Sequence, residues 1–333
     1  MAKKYDVYGI GNALVDLEFE VTDNFFTEND IEKGMMTLVD EERQTSLMAA
    51  ITGHQVKKQS GGSAANTIIA VNQFGGSSYY SCKVGNDELG KFYHKDLEDA
   101  GVDSNLHPDH LPEGITGKCL VMVTPDAERT MNTFLGITSD FSVKEIDENA
   151  LKDSSYIYIE GYLIPSDNGR EAMLRAKELA NKHGVKTALT FSDPSMVKYF
   201  KDGLAQVVGE GVDLLFCNEE EARLYTGKED ILQAREELKK IAKTFCITQG
   251  SNGAMIFDGE TFIDIEPYTV KAIDSNGAGD MFAGAFLYGI THGHSFAQAG
   301  KIASLASSRV VAKFGPRLEW HQAKEVMNHL FEN

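Results

Sequence analysis

Short apolar runs alternate along most of the chain with longer segments whose apolar residues recur at helical spacing. The predicted strands cover residues 5–10, 79–84, 156–160, 186–189, 214–217 and 245–248, and the predicted helices cover residues 87–100, 168–183, 219–226 and 297–314. A further helix is expected to begin near Ala64, with Ser63 as its cap. Strands that alternate with helices in this way predict a mainly parallel sheet with helices on both faces. We therefore expect an α/β fold with three layers, α/β/α.

Two segments break this rhythm, at about residues 15–58 and 112–138. Their strand-like parts, such as residues 17–21 and 117–123, are not followed by long helices, and we expect the two inserts to pair into a small second sheet above the main one. A movable lid over a reaction site and an ordinary extension of the sheet both fit this pattern. No linker, repeat or low-complexity tract divides the chain, so residues 1–333 are predicted to form one domain that carries the lid.

Composition restricts the partners. The 333 residues are 42% hydrophobic, which is enough for one large core or two modest ones. Fifty acidic side chains against 32 basic ones give a net charge of −18, and no basic stripe interrupts that charge. Nucleic acids and anionic membranes are therefore unfavourable partners, and no apolar stretch approaches the ~20 residues of a membrane span. A small, neutral substrate fits better.

The cysteines also bear on location. Cys82, Cys119, Cys217 and Cys246 are far apart in sequence and form no C-x-x-C pair, which argues against a zinc site and against a disulfide framework. Their apolar neighbours predict buried thiols in a reducing compartment. The first residues do not resemble a secretory signal, so we expect a cytoplasmic protein.

The segment at residues 270–289 carries the clearest chemical pattern. A strand is expected to end at Asp274, and a helix of small residues is expected to begin near Gly277. Gly277, Ala278 and Gly279 leave the first amide groups of that helix uncovered, so that an anion can approach the positive end of the helix dipole. Asp280 would stand beside that anion, where its carboxylate can accept a proton from a hydroxyl group. In isolation the same residues would also suit an ordinary helix start.

The full string at residues 274–280, D-S-N-G-A-G-D, resembles the second signature of the ribokinase-like (PfkB) carbohydrate kinases. Other motifs of that family follow in the expected order over essentially the whole chain. The resemblance implies a ribokinase-like fold that uses ATP and Mg²⁺ to phosphorylate a hydroxyl group. It also implies that Asp280 is the catalytic base and that the three preceding residues form the anion hole.

Two further motifs resemble the acceptor side of the family's site. The string G-G-S-A-A-N at residues 61–66 resembles the first signature, in which Gly61, Gly62 and Asn66 contact the hydroxyl groups of the substrate. Asn12 and Asp16 match positions that hold a ribose diol. The chemistry is reasonable, because a carboxylate can accept charge-assisted hydrogen bonds from two neighbouring hydroxyl groups.

The nucleotide side is implied by two weaker strings. Asn218 and Glu221 resemble the family's N-x-x-E element, which organises Mg²⁺ and phosphate mainly through water. Thr248, Gly250 and Gly253 resemble its T-x-G-x-x-G element. Without the other motifs, the first string would be an acidic first turn of a helix and the second a glycine turn.

The resemblance also assigns Arg129 as a lid arginine that reaches the transferred phosphate after closure. As an isolated residue, it would more often form a salt bridge at the rim. Whether a monovalent cation is needed near Asp274 and Asn276, as in some relatives, stays open. So does the choice between a monomer and a homodimer.

Details of the acceptor motifs resemble the adenosine kinase branch of the family. The string G-N-A-L-V-D at residues 11–16, which contains Leu14, resembles that branch. Leu38 matches an apolar position over the purine, and Tyr162 lies near an aromatic residue that sandwiches the base. Apolar walls suit a flat ring better than a bare sugar, so we expect phosphorylation of the 5′-hydroxyl of an adenosine-type nucleoside. A ribokinase- or fructokinase-type sugar kinase is the alternative, and a non-catalytic binding protein on the same scaffold is a more distant one.

Two rival signatures are incomplete. Gly9 and Gly11 suggest a dinucleotide-binding turn, but Leu14 stands where the third glycine is required. Residues 85–91 approach a Walker A loop, but Phe92 replaces the Ser or Thr that binds Mg²⁺. We therefore interpret residues 85–92 as the start of a helix.

Overall fold

The computed structural model describes residues 3–51, 55–125 and 129–331. The first two residues, and short parts of both predicted lid segments at 52–54 and 126–128, lie outside the described residues. The strands are β1 (Tyr5–Ile10), β2 (Leu14–Glu20), β3 (Met36–Leu38), β4 (Gln55–Gly61), β5 (Ser78–Ser81), β6 (Asp103–Ser104), β7 (Gly117–Val123), β8 (Arg129–Phe134), β9 (Ser154–Glu160), β10 (Lys186–Thr190), β11 (Val212–Asn218), β12 (Ala242–Thr248), β13 (Ala254–Phe257) and β14 (Phe262–Ile265). The helices are α1 (Asp23–Glu28), α2 (Glu41–Ala50), α3 (Ser63–Gln73), α4 (Glu88–Asp99), α5 (Glu148–Lys152), α6 (Asp167–His183), α7 (Pro194–Val208), α8 (Glu219–Thr226), α9 (Ile231–Leu238), α10 (Ala278–Thr291), α11 (Phe296–Val311) and α12 (Trp320–Phe331).

The larger of the two sheets in the described chain has nine strands in the order β14-β13-β12-β11-β10-β9-β1-β5-β6. Neighbours from β12 to β6 run parallel, and only β13 and β14 join as antiparallel strands. This arrangement confirms the predicted, mainly parallel sheet. The carboxyl ends of its parallel strands meet at one edge, where loops can gather polar side chains.

Helices cover both faces of the main sheet, which confirms the three layers. One buried cluster contains residues of α3, α4, α10, α11 and α12, and the other contains residues of α5 to α9. Helices α3 and α10 pack against each other on the first face. A Cβ atom at Gly284 would come within 2.4 Å of the Thr67 carbonyl oxygen, so a glycine is required for this close approach.

The second sheet is built from the two inserts, as predicted. Its strand order in the described residues is β3-β8-β7-β2-β4, with β2–β7 and β3–β8 parallel and the other pairs antiparallel. The role of this sheet as a movable lid stays a prediction, and so does the description of residues 1–333 as one domain. Among the described helices, none has both the length and the apolar character needed to cross a bilayer.

Three local expectations are wrong. No strand ends at Asp274, because the described residues 266–277 are irregular and β14 already ends at Ile265. Val270 and Ile273 alternate as in a strand, but they stay 39% and 41% exposed, so no packed surface stabilises a strand there. Several helices, among them α7, which starts at Pro194, and α12, which starts at Trp320, are missing from the predicted pattern.

The start of α3 also differs from the prediction. The expected cap of this helix is Ser63, but the capping position is occupied by Gly62, whose φ is +100°. A Cβ atom there would lie 2.2 Å from the Asn12 carbonyl oxygen, so only glycine suits this turn. Ser63 is consequently the first helical residue, and its hydroxyl group is free to point elsewhere.

Candidate active site

A cavity of about 640 Å³ lies between the second sheet and the carboxyl edge of the main sheet. Parallel strands contribute lining residues at their carboxyl ends, among them Glu160, Thr190 and Asn218. The second sheet contributes Leu38 and Met131 from the opposite side. A cleft at this edge is where ligands bind in open α/β sheets.

Asp280 lies in the first turn of α10 and lines this cavity. Its Oδ1 accepts a hydrogen bond from the Ser63 hydroxyl at 2.6 Å, and its Oδ2 accepts one from Asn66 Nδ2 at 3.0 Å. Both donors come from the first turn of α3, which the close packing of the two helices brings alongside. The carboxylate is thereby fixed in orientation while one side faces the cavity.

The environment of Asp280 raises the pKa of its carboxyl group to about 6. Burial is the main cause, because removal from water disfavours the charged form. The hydrogen bonds from Ser63 and Asn66 and the positive charge of Arg317 act in the opposite direction. The carboxylate is therefore ionised at neutral pH but more basic than an exposed aspartate, which suits a proton acceptor.

The predicted anion hole lies directly before Asp280. Gly277 has φ +74°, and a Cβ atom there would lie 2.3 Å from Pro316 Cβ, so glycine is required. At Gly279 a Cβ atom would meet nothing within 4 Å, and the amide of Gly279 has no acceptor among the described residues. Ala278 differs, because its amide donates to the Ser275 carbonyl at 3.2 Å and it is not part of the cavity lining.

Asp16 lines the cavity from β2, and its carboxylate receives no hydrogen bond from the described part of the chain. Burial raises the pKa of Asp16 to about 6, against the lowering influence of Arg317 and Arg129. Gly61 is not a lining residue, but a Cβ atom there would lie 2.5 Å from the Asp16 carboxylate. Gly61 thus leaves room for a carboxylate that is ready to accept hydrogen bonds from a ligand.

Glu160, which sequence reasoning missed, is a buried carboxylate at the end of β9. Its Oε2 accepts hydrogen bonds from the amides of Asn12 at 3.1 Å and Ala64 at 3.3 Å. Burial raises the pKa of Glu160 to about 8, although these bonds lower it. Asn12 in turn donates through Nδ2 to the Tyr162 carbonyl at 3.3 Å. Asn12, Glu160 and Tyr162 all line the cavity.

The second sheet gives the cavity an apolar wall. Leu14 and Leu38, both predicted from sequence, line it together with Met36 and Met131, which were not predicted. Leu38 is 61% exposed and Met36 is 43% exposed. Exposed apolar side chains that converge on a cavity are unfavourable in water and become favourable when an apolar ligand covers them.

At the other end of the cavity, Asn218 and Glu221 form a reciprocal cap at the start of α8. The Glu221 amide donates to Asn218 Oδ1 at 2.8 Å, while Glu221 Oε2 and Oε1 accept from Asn218 N and Nδ2, both at 2.9 Å. Both residues line the cavity, as does Thr248 at the end of β12. The cap fixes the Glu221 side chain in place.

Gly250 and Gly253 do not line the cavity. They belong to the turn that joins β12 to β13 and have φ values of +56° and +89°. A Cβ atom at Gly253 would lie 2.0 Å from the Ile265 carbonyl oxygen. The turn geometry therefore accounts for both glycines, and their predicted contact with the nucleotide stays a prediction.

Carboxylates gather at this end of the cavity. Burial, together with the negative charges of Asp193 and Glu220, raises the pKa of Glu221 to about 7. Asp193 also lines the cavity. In the described part of the chain, no group of three or more His, Cys, Asp or Glu side chains could hold a metal ion directly.

The predicted lid arginine is buried in a different set of contacts. Arg129 forms ion pairs with Glu18 and Asp274, and its guanidinium lies 5.3 Å from the centre of the Phe314 ring. It is not among the lining residues of the cavity. Its predicted contact with a transferred phosphate would require it to leave these partners.

Comparisons with known proteins agree with this arrangement. A family model described as pfkB family carbohydrate kinase matches residues 34–323. The chain is 26% identical over 343 residues to adenosine kinase 2 of Arabidopsis thaliana, covering 94% of this chain and 96% of the plant protein. It is 27% identical over 291 residues to 5-dehydro-2-deoxygluconokinase of Clostridium beijerinckii, covering 83% and 85%. The crystal structure of adenosine kinase from Sinorhizobium meliloti matches with a TM-score of 0.87 and 32% identity, covering 97% of this chain and 99% of that one.

Proposed function

This chain belongs to the pfkB family of carbohydrate kinases and is an ATP-dependent kinase with an alcohol acceptor, and we propose that its acceptor is the 5′-hydroxyl of a purine nucleoside such as adenosine. The observation that carries the proposed phosphoryl transfer to a hydroxyl group is the position of Asp280. Its oriented carboxylate, more basic than usual, opens onto the cavity beside the uncovered amide of Gly279.

In the proposed reaction, the acceptor hydroxyl donates its proton to Asp280 while its oxygen attacks the γ-phosphorus of ATP. A bond forms between that oxygen and phosphorus, and the bond from the γ-phosphorus to the bridging oxygen of ADP breaks. The amide of Gly279 and the dipole of α10 would stabilise the charge on the phosphoryl oxygens. Ser63 and Asn66 would hold the base in line with the acceptor.

We infer that Mg²⁺ enters with ATP, whose phosphates it would partly neutralise. Asn218 and Glu221 would hold the hydrated ion through water, as Mg²⁺ keeps much of its hydration shell. The donor set fits, because the raised pKa of Glu221 reflects buried negative charge that a cation would offset.

The apolar wall favours a nucleoside over a bare sugar. Leu38 and Met36 offer exposed apolar surface on the side opposite the main sheet, and Tyr162 faces the same cavity. A purine ring would cover that surface. The carboxylate of Asp16, which receives no hydrogen bond from the described residues, would accept hydrogen bonds from the ribose diol. The identity of 32% to an adenosine kinase supports the same choice.

A sugar kinase is the second candidate, because the chain is 27% identical to a 5-dehydro-2-deoxygluconokinase and 26% identical to a plant adenosine kinase. ADP release should be measured with adenosine, inosine, guanosine, ribose, fructose and 2-keto-3-deoxygluconate as acceptors. The proposal predicts that a purine nucleoside stimulates ADP release most strongly. Stimulation by a free sugar with no response to nucleosides would replace it with the sugar kinase. No acceptor-dependent release would reject both.

We also infer a cytoplasmic location from the cysteines. All four are free and buried in the structure, and burial raises the pKa of each thiol. Unpaired thiols of this kind are typical of proteins in a reducing compartment.

A further inference from the structure

We propose that Arg317 is a positioning residue, which orients Asn66 and thereby holds Asp280 ready to accept a proton from the acceptor. This inference rests on the proposed function of Asp280. Arg317 belongs to none of the sequence motifs and lies in the loop between α11 and α12.

The guanidinium of Arg317 contacts three parts of the chain at once. Nε donates to Asn66 Oδ1 at 3.0 Å, and Nη1 donates to Asp96 Oδ2 at 3.1 Å. Nη2 donates to the Ser60 hydroxyl at 3.0 Å and also to the Ser60 carbonyl. The side chain is only 12% exposed. A planar guanidinium held by this many acceptors has little freedom to rotate.

These contacts decide which way the Asn66 amide faces. Arginine can only donate hydrogen bonds, so the atom of Asn66 that faces it must be the carbonyl oxygen. The Asn66 amide nitrogen must then face the opposite side, where it donates to Asp280 Oδ2 at 3.0 Å. The chain of contacts from Arg317 through Asn66 to Asp280 therefore has a fixed direction.

The residues around Arg317 also contact the anion hole. The Gly315 amide donates to Asp274 Oδ2 at 3.1 Å, and Pro316 lies against Gly277. The carbonyl of the following residue, Leu318, accepts from Gln73 at the end of α3. Residues 315–318 thus contact the loop before α10 and both ends of α3. They can hold the base and the anion hole in a fixed position relative to each other.

Arg317 also supplies charge. Its guanidinium lowers the pKa of Asp280 and of Asp16, which burial otherwise raises. The other titratable groups that face Asp280 are Asp16 on β2, Glu160 on β9, Tyr80 on β5, Tyr158 on β9 and Tyr162 after β9. None of these side chains carries positive charge, so loss of the guanidinium should make Asp280 harder to ionise.

A purely structural role is the competing explanation, in which Arg317 only ties the loop to Asp96 on α4. The variants R317Q and R317K separate the two roles when compared with D96N, which weakens the same ion pair but keeps the bond from Arg317 to Asn66. R309Q is a matched surface control, because Arg309 is 40% exposed and lies 3.9 Å from Glu325. For each variant, kcat and the acceptor KM are measured across pH together with the melting temperature.

We expect R317Q to lower kcat by roughly 10- to 100-fold, within the range that positioning errors near a reacting group can produce. The acceptor KM should change much less. The acid limb of the pH profile of kcat should shift to higher pH by about 0.5 to 1 unit, a small value among the pKa shifts that follow the loss of a nearby opposite charge. R317K keeps the charge, so its acid limb should stay near that of the wild type while kcat falls. D96N should lower the melting temperature without raising the acid limb, and R309Q should match the wild type.

An R317Q acid limb at the wild-type position, with a loss of kcat no larger than that of D96N, would overturn the inference. If R317Q does not fold, R317K provides the test, because a wild-type kcat in R317K would also overturn the positioning role of Arg317. A wild-type protein that shows no acceptor-dependent ADP release would instead reject the proposed function. An active wild type with unaffected Arg317 variants would reject only the positioning role.

Discussion

Arg129 Nη1 lies 2.8 Å from Asp274 Oδ2, so a residue of the second sheet is paired directly with the loop that leads into α10. Both side chains are buried, at 9% and 6% exposure. Arg129 also pairs with Glu18 on β2 at 3.1 Å, and its Nε has no partner among the described residues. This pairing connects the second sheet to the loop that leads into the proposed anion hole. It also engages the Asp274 carboxylate, and whether a monovalent cation is needed near that residue stays untested.

Replacement of Arg129 tests whether it acts on the transferred phosphate. If Arg129 leaves Asp274 when the second sheet closes, R129A should lower kcat by roughly 10²-fold, as for loss of one donor to the transition state. The Kd for ATP should change much less. Steady-state kinetics and nucleotide titrations provide the two values. A loss confined to ATP affinity would contradict the predicted role. The control is E18Q, which removes the negative charge of Glu18 and thus weakens one ion pair of Arg129 without removing the guanidinium.

The two glycines of the proposed anion hole, Gly277 and Gly279, should respond differently to the same added methyl group. G279A places a Cβ atom in open space, so its melting temperature should match that of the wild type, whereas its kcat should fall because the methyl group obstructs the phosphoryl position. G277A should lower the melting temperature, because a left-handed backbone costs a non-glycine residue ~1–2 kcal/mol and its Cβ meets Pro316. Thermal unfolding and kcat of both variants check this. Full activity in G279A would contradict the anion hole.

The buried carboxyl group of Glu160 should make stability depend on pH. Its folded pKa is about 8 against a usual value of 4.5, so the folded protein retains a proton that the unfolded chain releases. This contribution to stability is fully present below about pH 4.5 and is lost as the pH rises through about 8. E160Q mimics the protonated form. Its melting temperature relative to the wild type should therefore increase from pH 6 to pH 9, and a constant difference would contradict the raised pKa.

Much of the fold follows from local patterns. Local patterns predict six of the seven parallel strands of the main sheet and half of the helices in the described residues, and the two inserts without long helices predict the second sheet. The prediction of a strand before α10 is wrong, although apolar and polar residues alternate at residues 270–273 as they do in a strand. Pairing partners, which the local sequence does not show, decide the outcome there.

The candidate site divides in the same way. Asp280, Asn66 and Asp16 could be named from the sequence because they belong to short motifs that resemble those of the family, and all three line the cavity. Glu160 and Arg317 could not, because their partners lie 148 and 251 residues away in sequence. One sequence feature could have pointed to Glu160 as a site residue, namely its position at the carboxyl end of a predicted strand. No such feature marks Arg317.

The central claim is that Asp280 removes the proton from the acceptor hydroxyl. The most direct test is the pH dependence of kcat for the wild type and for D280N, measured with the best acceptor from the screen. Because the pKa of Asp280 is raised to about 6, wild-type turnover should be lost as the pH falls through about 6. D280N should remain folded but turn over ~10²- to 10⁴-fold more slowly. Near-full activity in a folded D280N, with an unchanged acid limb, would show that another group is the base.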